Sequence, residues 1–346
     1  MKFTLYQPEY IYELGRRSNQ EDSLFPAAAK ATADDRIFVV CDGMGGHEFG
    51  EVASSIVCET IAKSASKHQV ADNVFTDDHF QQVLDEAYDA LDDSGKDKKS
   101  MGTTLAMLVF HRGGCLSAHI GDSRIYHFRP ATGEILYRSR DHSLVNQLYE
   151  TGEISRREMR TSKKKNLLLR AMQPQQPART VADLVHITDI KPGDYFLMCT
   201  DGMLERYDDD DLLDILTSDA DDKRKIELLR EGTARNADNH TCYLIHVETV
   251  QSEPGDDRLP SDEAEARAAC RALNDTSPGV EVELADIDEE TEADDSAQTS
   301  FVGEDFSNEL AMEAPSLKRG MAKWLKILFV VLFLLIFVVA VLKFLH

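Results

Sequence analysis

The chain has 346 residues and a net charge of −24, with 38 Lys and Arg against 62 Asp and Glu. That length allows one large domain or two small ones with appendages. The acidic balance disfavours a general nucleic-acid binder, which needs a basic surface. None of the six cysteines forms a C-x-x-C pair and most sit in apolar runs, so they read as buried thiols of a reducing compartment, not disulfides or a zinc site.

In chain order, Met1–Tyr12 lacks the apolar core of a secretory signal, and none is expected there. Strand-like runs follow at Arg36–Cys41, Thr104–Phe110, Cys115–Ile120, Arg124–Phe128, Tyr195–Thr200 and Cys242–Val247. Between them, Glu48–Lys67 carries small and apolar residues at helical spacing, and Phe80, Val83, Leu84, Ala87 and Leu91 share one face of a second predicted helix. Leu212–Leu216 and Lys223–Ala237 also read as helical, and the acidic run Asp208–Asp211 suits a helix N-terminus better than a calcium loop, for which it lacks the alternating ligand spacing and central Gly. Strands broken by long helices predict sheets with helices packed outside, over residues 1–250.

Residues 251–317 differ in kind. They hold 20 Asp and Glu against three Arg, few aromatics, and Pro254, Pro260, Pro278 and Pro315. Such a stretch cannot bury enough apolar surface to offset its ordering entropy, and it is expected to be a disordered, self-repelling linker. Residues 318–346 contain 16 uninterrupted apolar residues, Ile327–Leu342, with Trp324 and Lys326 before and Lys343 after. With lysine snorkelling this run is long enough for a single transmembrane helix. Lys318, Arg319, Lys323 and Lys326 precede it, so the positive-inside rule keeps the preceding domain in the cytoplasm.

One phrase occurs twice. Val39-Val40-Cys41-Asp42-Gly43-Met44 returns as Leu197-Met198-Cys199-Thr200-Asp201-Gly202-Met203. Each is a buried-strand pattern ending in a carboxylate, which is unfavourable at the mouth of a buried strand unless a positive charge sits there. With further acids nearby, such mouths suggest an oxygen-ligand site for a hard cation. The further motifs are Gly15-Arg16-Arg17-Ser18-Asn19-Gln20-Glu21-Asp22-Ser23, Met101-Gly102-Thr103-Thr104, Gly121-Asp122-Ser123-Arg124, Arg140-Asp141-His142-Ser143 and Asp238-Asn239-His240-Thr241. Each alone reads as a common turn, a helix–strand loop or a surface ion pair; the ordered set is specific.

In that order the motifs resemble the bacterial PP2C-like (PPM) metal-dependent Ser/Thr phosphatases, over about residues 8–248. The resemblance implies an α+β fold, a four-layer α-β-β-α sandwich of two antiparallel sheets flanked by helices. It implies two Mn²⁺ or Mg²⁺ ions with a third, weaker one. Carried over by motif, Asp42 bridges the two metals, and the Gly43 carbonyl, Asp201 and Asp238 complete the protein ligands. Glu21 holds a metal through water with Asp22 close by, Asp122 helps bind the third ion, and Arg17 grips the substrate phosphate. Arg17, Asp42 and Asp201 are the expected catalytic residues. The residue after the first Asp-Gly, a histidine in many eukaryotic relatives, is Met44 here; His47 reads as a loop histidine, and no general acid is assigned.

The chemistry independently suits these roles. Two divalent ions about 4 Å apart acidify a bridging water and stabilise the attacking and leaving oxygens of an in-line displacement. Arginine's planar fork suits a phosphate. The basic run Arg156–Lys165 lies where the family has a mobile flap, and reads either as an attractor of acidic phosphopeptides or as a solvated helix and loop. The expected partners are phosphoproteins, among them a Ser/Thr kinase and its substrates, with a monomeric catalytic domain and the membrane reached through the tail. The alternatives are a hydrolase of small phosphate compounds and a non-catalytic binding protein on the same fold.

Overall fold

The computed structural model describes residues 1–45, 49–94, 101–251 and 300–301. The elements begin with β1 (Lys2–Leu5), β2 (Glu9–Glu13), β3 (Ser23–Phe25), β4 (Ile37–Cys41), β5 (Gly43–Met44), α1 (Phe49–Ser66) and α2 (Asp77–Ser94). Next come β6 (Gly102–Thr103), β7 (Leu105–His111), β8 (Gly114–Ile120), β9 (Arg124–Arg129), β10 (Glu134–Arg138), α3 (Leu144–Glu150), α4 (Arg156–Thr161), β11 (Leu167–Leu168) and β12 (Asp183–Ile187). The last are β13 (Tyr195–Cys199), α5 (Asp201–Leu204), α6 (Asp209–Thr217), α7 (Asp222–Thr233), β14 (His240–Gln251) and β15 (Ser300–Phe301).

Two antiparallel sheets carry the fold. One runs β1-β14-β13-β9-β10, with β2 also on β14; the other runs β12-β8-β7-β4-β3. The central strands are continuous apolar runs because both of their faces are covered, and the two-residue strand period sorts alternate side chains into different cores. In β4 and β7, Phe38, Val40, Ala106, Leu108 and Phe110 meet Phe196, Met198, Tyr243 and Ile245 of the opposite sheet. Val39, Cys41, Met107 and Val109 point the other way, into a core with Val57 and Ile61 of α1 and Phe80 and Leu84 of α2. On the outer face of the first sheet, Leu197, Cys199 and Leu244 pack against Leu212 and Leu216 of α6 and Leu229 of α7. The expected helix–sheet–sheet–helix order is therefore present in the packing.

The strands missed from sequence are mostly those at or near sheet edges. β1, β3, β10 and β12 lie at the ends of the strand orders. Covered on fewer sides, they lack the unbroken apolar run of a central strand; β12 reads half-buried over Asp183, Leu184 and Val185. Asp208 caps α6 in a reciprocal capping box with Asp211, as the acidic run predicted. Cys41, Cys58, Cys115, Cys199 and Cys242 are free and buried, as expected; Cys270 lies outside the described residues.

Within the predicted linker, Ser300–Phe301 pairs in parallel with Leu167–Leu168, a contact that composition does not foresee. The rest of the linker and the predicted transmembrane tail lie outside the described residues. Among the described residues no helix is long and apolar enough to cross a membrane.

Candidate metal centre

Strand register brings the acidic motifs to one end of the double sheet. β4 ends at Cys41 beside Ser23, β13 ends at Cys199 between Arg124 and Cys242, and β14 starts at His240 opposite Glu13. The residues just beyond those ends therefore converge: Arg17 to Asp22, Asp42, Asp122, Asp201 and Asp238.

Backbone contacts fix each carboxylate. The Asp42 N–H donates to Thr104 Oγ1 at 2.9 Å, and the Thr103 hydroxyl donates to the Asp42 carbonyl at 2.8 Å. Thr104 Oγ1 also lies 2.6 Å from Ser123 Oγ, next to Asp122. Gly43 donates its N–H to the Glu21 carbonyl at 3.1 Å. A Cβ at Gly43 would collide with the Gly50 carbonyl and lie 2.5 Å from that of Glu21, so helix α1 can approach this closely only against glycine. Asn239 holds the arginine loop: its Oδ1 accepts from Glu21 N at 2.8 Å, and its Nδ2 donates to the carbonyls of Leu14 and Asn19 at 2.9 and 3.0 Å. Asn239 thus positions its neighbours, and both it and Asp238 line the site. Arg17 Nη2 donates to Asp238 Oδ2 at 2.8 Å, whereas Arg16 is exposed.

Two adjoining hollows expose the carboxylates. A niche of about 10 Å³, room for roughly one water, is lined by Arg17, Glu21, Asp42, Gly43, Met44 and Asp238. A groove of about 280 Å³ is lined by Asp122, Asp201 and Asp238 and, at its far side, by Arg156 and Lys165. Asp238 belongs to both. Asp22 lines neither; it is buried behind them, accepting from the Thr200 hydroxyl at 3.0 Å. His47 lies outside the described residues.

The electrostatics of this end suit a cation. Burial, then Asp22, Asp201 and Asp238, push the Asp42 carboxyl far above the usual range. Burial and Asp238 push Asp201 up to about 7, although Asp42 and Lys165 pull it down. Burial is also the main cause of the rise of Asp122, and of Asp22 to about 8. Asp201 Oδ1 is buried with no hydrogen-bond partner among the described residues. Crowded carboxylates, an orphaned buried oxygen and the Gly43 carbonyl form an all-oxygen donor set that fits hard divalent ions. A second group, His119, His142 and Asp183, does not: Arg170 Nη1 already lies 2.8 Å from Asp183 Oδ1 and 3.4 Å from His142 Nε2, where a bound cation would be repelled.

Several residues of the site carried no readable role in sequence. Thr104, Thr200 and Asn239 act through hydrogen bonds across strands, which no local spacing encodes. Arg124 forks onto Asp141 at 2.7 and 2.6 Å and reaches the buried Asp209, so Asp141 is an ion-pair partner in the groove wall.

A double antiparallel sheet with a cluster of cation-seeking carboxylates at one end is the architecture of a metal-dependent phosphatase. The protein phosphatase 2C family profile matches residues 14–225, and the chain belongs to that family. It is 30% identical over 242 residues to the Ser/Thr protein phosphatase PstP of Mycobacterium tuberculosis, covering 69% of this chain and 45% of PstP. It is 27% identical to a putative 2C-type phosphatase of Streptococcus pyogenes, covering 96% of that protein. Among solved structures, the PstP catalytic domain in complex with two manganese ions superposes with a TM-score of 0.58 at 26% identity, covering 70% of this chain and 99% of that one. The Ser/Thr phosphatase MsPP of Mycobacterium smegmatis, in complex with cacodylate, gives a TM-score of 0.58 at 25% identity, covering 71% and 100%.

Proposed function

We propose that the chain hydrolyses phosphoserine and phosphothreonine in proteins, with two Mn²⁺ or Mg²⁺ ions held by Asp42, the Gly43 carbonyl, Asp201 and Asp238. The observation that carries this reading is the crowding of Asp42, Asp201 and Asp238 around a buried, unpartnered Asp201 oxygen. Glu21 and Asp122 flank that set, one in the niche and one in the groove, as ligands through water and to a third, weaker ion. Asp22 supports it from behind through Thr200. Bound ions supply an acidified water and neutralise the charge of a phosphate. The remaining work falls to the chain. Asn239 and Gly43 hold the loop bearing Arg17 and Glu21 against the metal-binding strand ends. Arg17, anchored on Asp238, presents its guanidinium to a phosphate over the mouth of the niche. The open groove towards Arg156 and Lys165 receives the polypeptide on either side of the phosphorylated residue. Phosphate release from a phosphothreonine peptide should require added Mn²⁺ or Mg²⁺ and stop with EDTA. Turnover unaffected by EDTA overturns the metal mechanism, and activity on nucleotides alone would favour a hydrolase of small phosphates.

Arg17→Ala is expected to raise KM for a phosphopeptide by about tenfold, the loss of one charge-assisted contact, with a smaller fall in kcat. The tight steps of Mn²⁺ binding, followed by calorimetry, should change little. Unchanged kinetic constants would remove Arg17 from the phosphate site.

The tail is read as a membrane anchor. Its 16-residue apolar run, the flanking Lys326 and Lys343, and Trp324 support a single span with residues 1–250 on the cytoplasmic side. With Ser300–Phe301 paired to Leu167–Leu168, a stretch of about 22 residues leads on to Trp324 and gives a root-mean-square reach of roughly 25 Å if coil-like. Repulsion between its acids and anionic lipid extends it. Tethering raises the effective concentration towards membrane-bound phosphoproteins, with a receptor-type Ser/Thr kinase and its targets as the partners that fit. Deleting Trp324–His346 should move the protein to the soluble fraction while leaving turnover of a peptide unchanged. A truncated chain that still pellets with membranes after a high-salt wash would refute the anchor.

A further inference from the structure

His142 stands outside the carboxylate cluster, yet it is tied to the turn that carries Asp122. Its backbone N–H donates to the Gly121 carbonyl at 2.9 Å, and its Nδ1 lies 3.1 Å from the Gly121 nitrogen. A backbone N–H can only donate, so Nδ1 is the acceptor and the proton of the neutral ring sits on Nε2. Nε2 faces Asp183 Oδ2 at 3.1 Å, which accepts that proton's hydrogen bond and locks the tautomer. His142 lowers the Asp183 pKa most, with Arg170 also contributing, so Asp183 is charged. His119 stacks on the other ring face at 4.7 Å, with its own Nε2 directed at the Arg140 carbonyl.

The same residue is joined to β11 and the residues after it. The His142 carbonyl accepts from Leu169 N at 2.8 Å, Ser143 bridges Leu168 of β11, and Arg170 pairs with Asp183 at 2.8 Å. Gly121 has φ of +103° and lies against Thr104, where a Cβ would come within 2.6 Å of Cγ2. The turn therefore has little freedom of its own to choose where Asp122 points.

We propose that His142 is a positioning residue that ties β11 to the Gly121–Asp122 turn, setting Asp122 for the weakest of the metal sites. This rests on the reading of Asp122 as a metal ligand. The link runs from β11 through the His142 backbone to Gly121, and the imidazole that accepts from the Gly121 N–H is oriented by Asp183.

The test uses the full chain, metal-free and titrated with Mn²⁺. His142→Ala removes the acceptor for Gly121, whereas His142→Asn places an amide oxygen close to the former Nδ1. In His142→Ala the weakest Mn²⁺-binding step by calorimetry should weaken about tenfold, the usual scale for losing a group that orients a ligand. The tighter steps should stay, and the Gly121 amide should exchange faster in the metal-free protein. His142→Asn should recover most of both properties, and Asp183→Ala should fall between. Should His142→Ala fail to fold, the Asn and Asp183 variants carry the same comparison. Variants that lose thermal stability while the weakest binding step is unchanged, or an Asn variant as impaired as Ala, would overturn the proposal. If the native chain itself binds no Mn²⁺, the functional reading fails first, and that outcome is distinguishable.

Discussion

Asp42→Ala and Asp201→Ala are each expected to lower kcat on a phosphothreonine peptide by roughly a thousandfold or more. Both carboxylates sit at the ends of buried strands, and Asp201 offers an oxygen with no partner among the described residues. If bound ions would supply about 4 kcal/mol of charge stabilisation in the transition state, removing a carboxylate that holds them would forfeit about three powers of ten. Stability should move the other way. Each substitution removes a carboxyl whose ionisation burial and its acidic neighbours oppose, so the metal-free variants should melt no lower than the metal-free native chain. Measured together, kcat and melting temperature separate a lost ligand from a damaged fold. Retention of more than a tenth of native turnover in either variant would take that residue out of the metal centre.

The second large effect is the pH dependence of the metal-free chain. Burial and mutual repulsion raise Asp201 to about 7 and Asp22 to about 8, with Asp42 and Asp122 raised as well. In the unfolded chain an aspartate titrates near about 3.9. Between those limits the folded state binds more protons than the unfolded one, so stability falls as pH rises from about 4 through about 8. A domain of this size loses about 2–4 °C in Tm for each kilocalorie, and the metal-free protein should melt several degrees lower at pH 8 than at pH 5. Mn²⁺ takes the place of those protons, so its stabilising effect should be larger at pH 8. Asp201→Asn should flatten the decline. A metal-free Tm that rises over this interval, with no gain from Mn²⁺, would mean that the carboxylates do not repel one another as their burial implies.

Much of the central fold was legible because central strands covered on both faces must be apolar throughout, and residues such as Phe38–Cys41 and Phe196–Cys199 satisfy that without interruption. The helix faces of α1 and α2 were legible for the corresponding reason, one apolar stripe each. The edge strands were not, since Lys2–Leu5 and Asp183–Ile187 carry mixed patterns that become strands only when a neighbour offers a ladder. At the site, Asp42, Asp201 and Asp238 could be singled out as carboxylates at strand or motif boundaries. The basic run before β11 could be read two ways; the structure gives Arg156 and Lys165 to the groove wall.

By itself, then, the sequence determined which carboxylates stand at the ends of buried strands, which residues can build the two sheets, and where the folded domain gives way to an acidic, core-less stretch. These are local properties of charge, period and composition. Only the tertiary structure decided which groups open onto the niche and groove and which hold their neighbours in place. Asp238 faces the niche while its neighbour Asn239 clamps the Arg17 loop, Asp22 turns inward to Thr200, and Asp141 is taken by the fork of Arg124. His142 likewise meets Gly121 and Asp183, 21 and 41 residues away. The physical reason is that hydrogen bonds across strands follow register, and register is set by packing over the whole sheet.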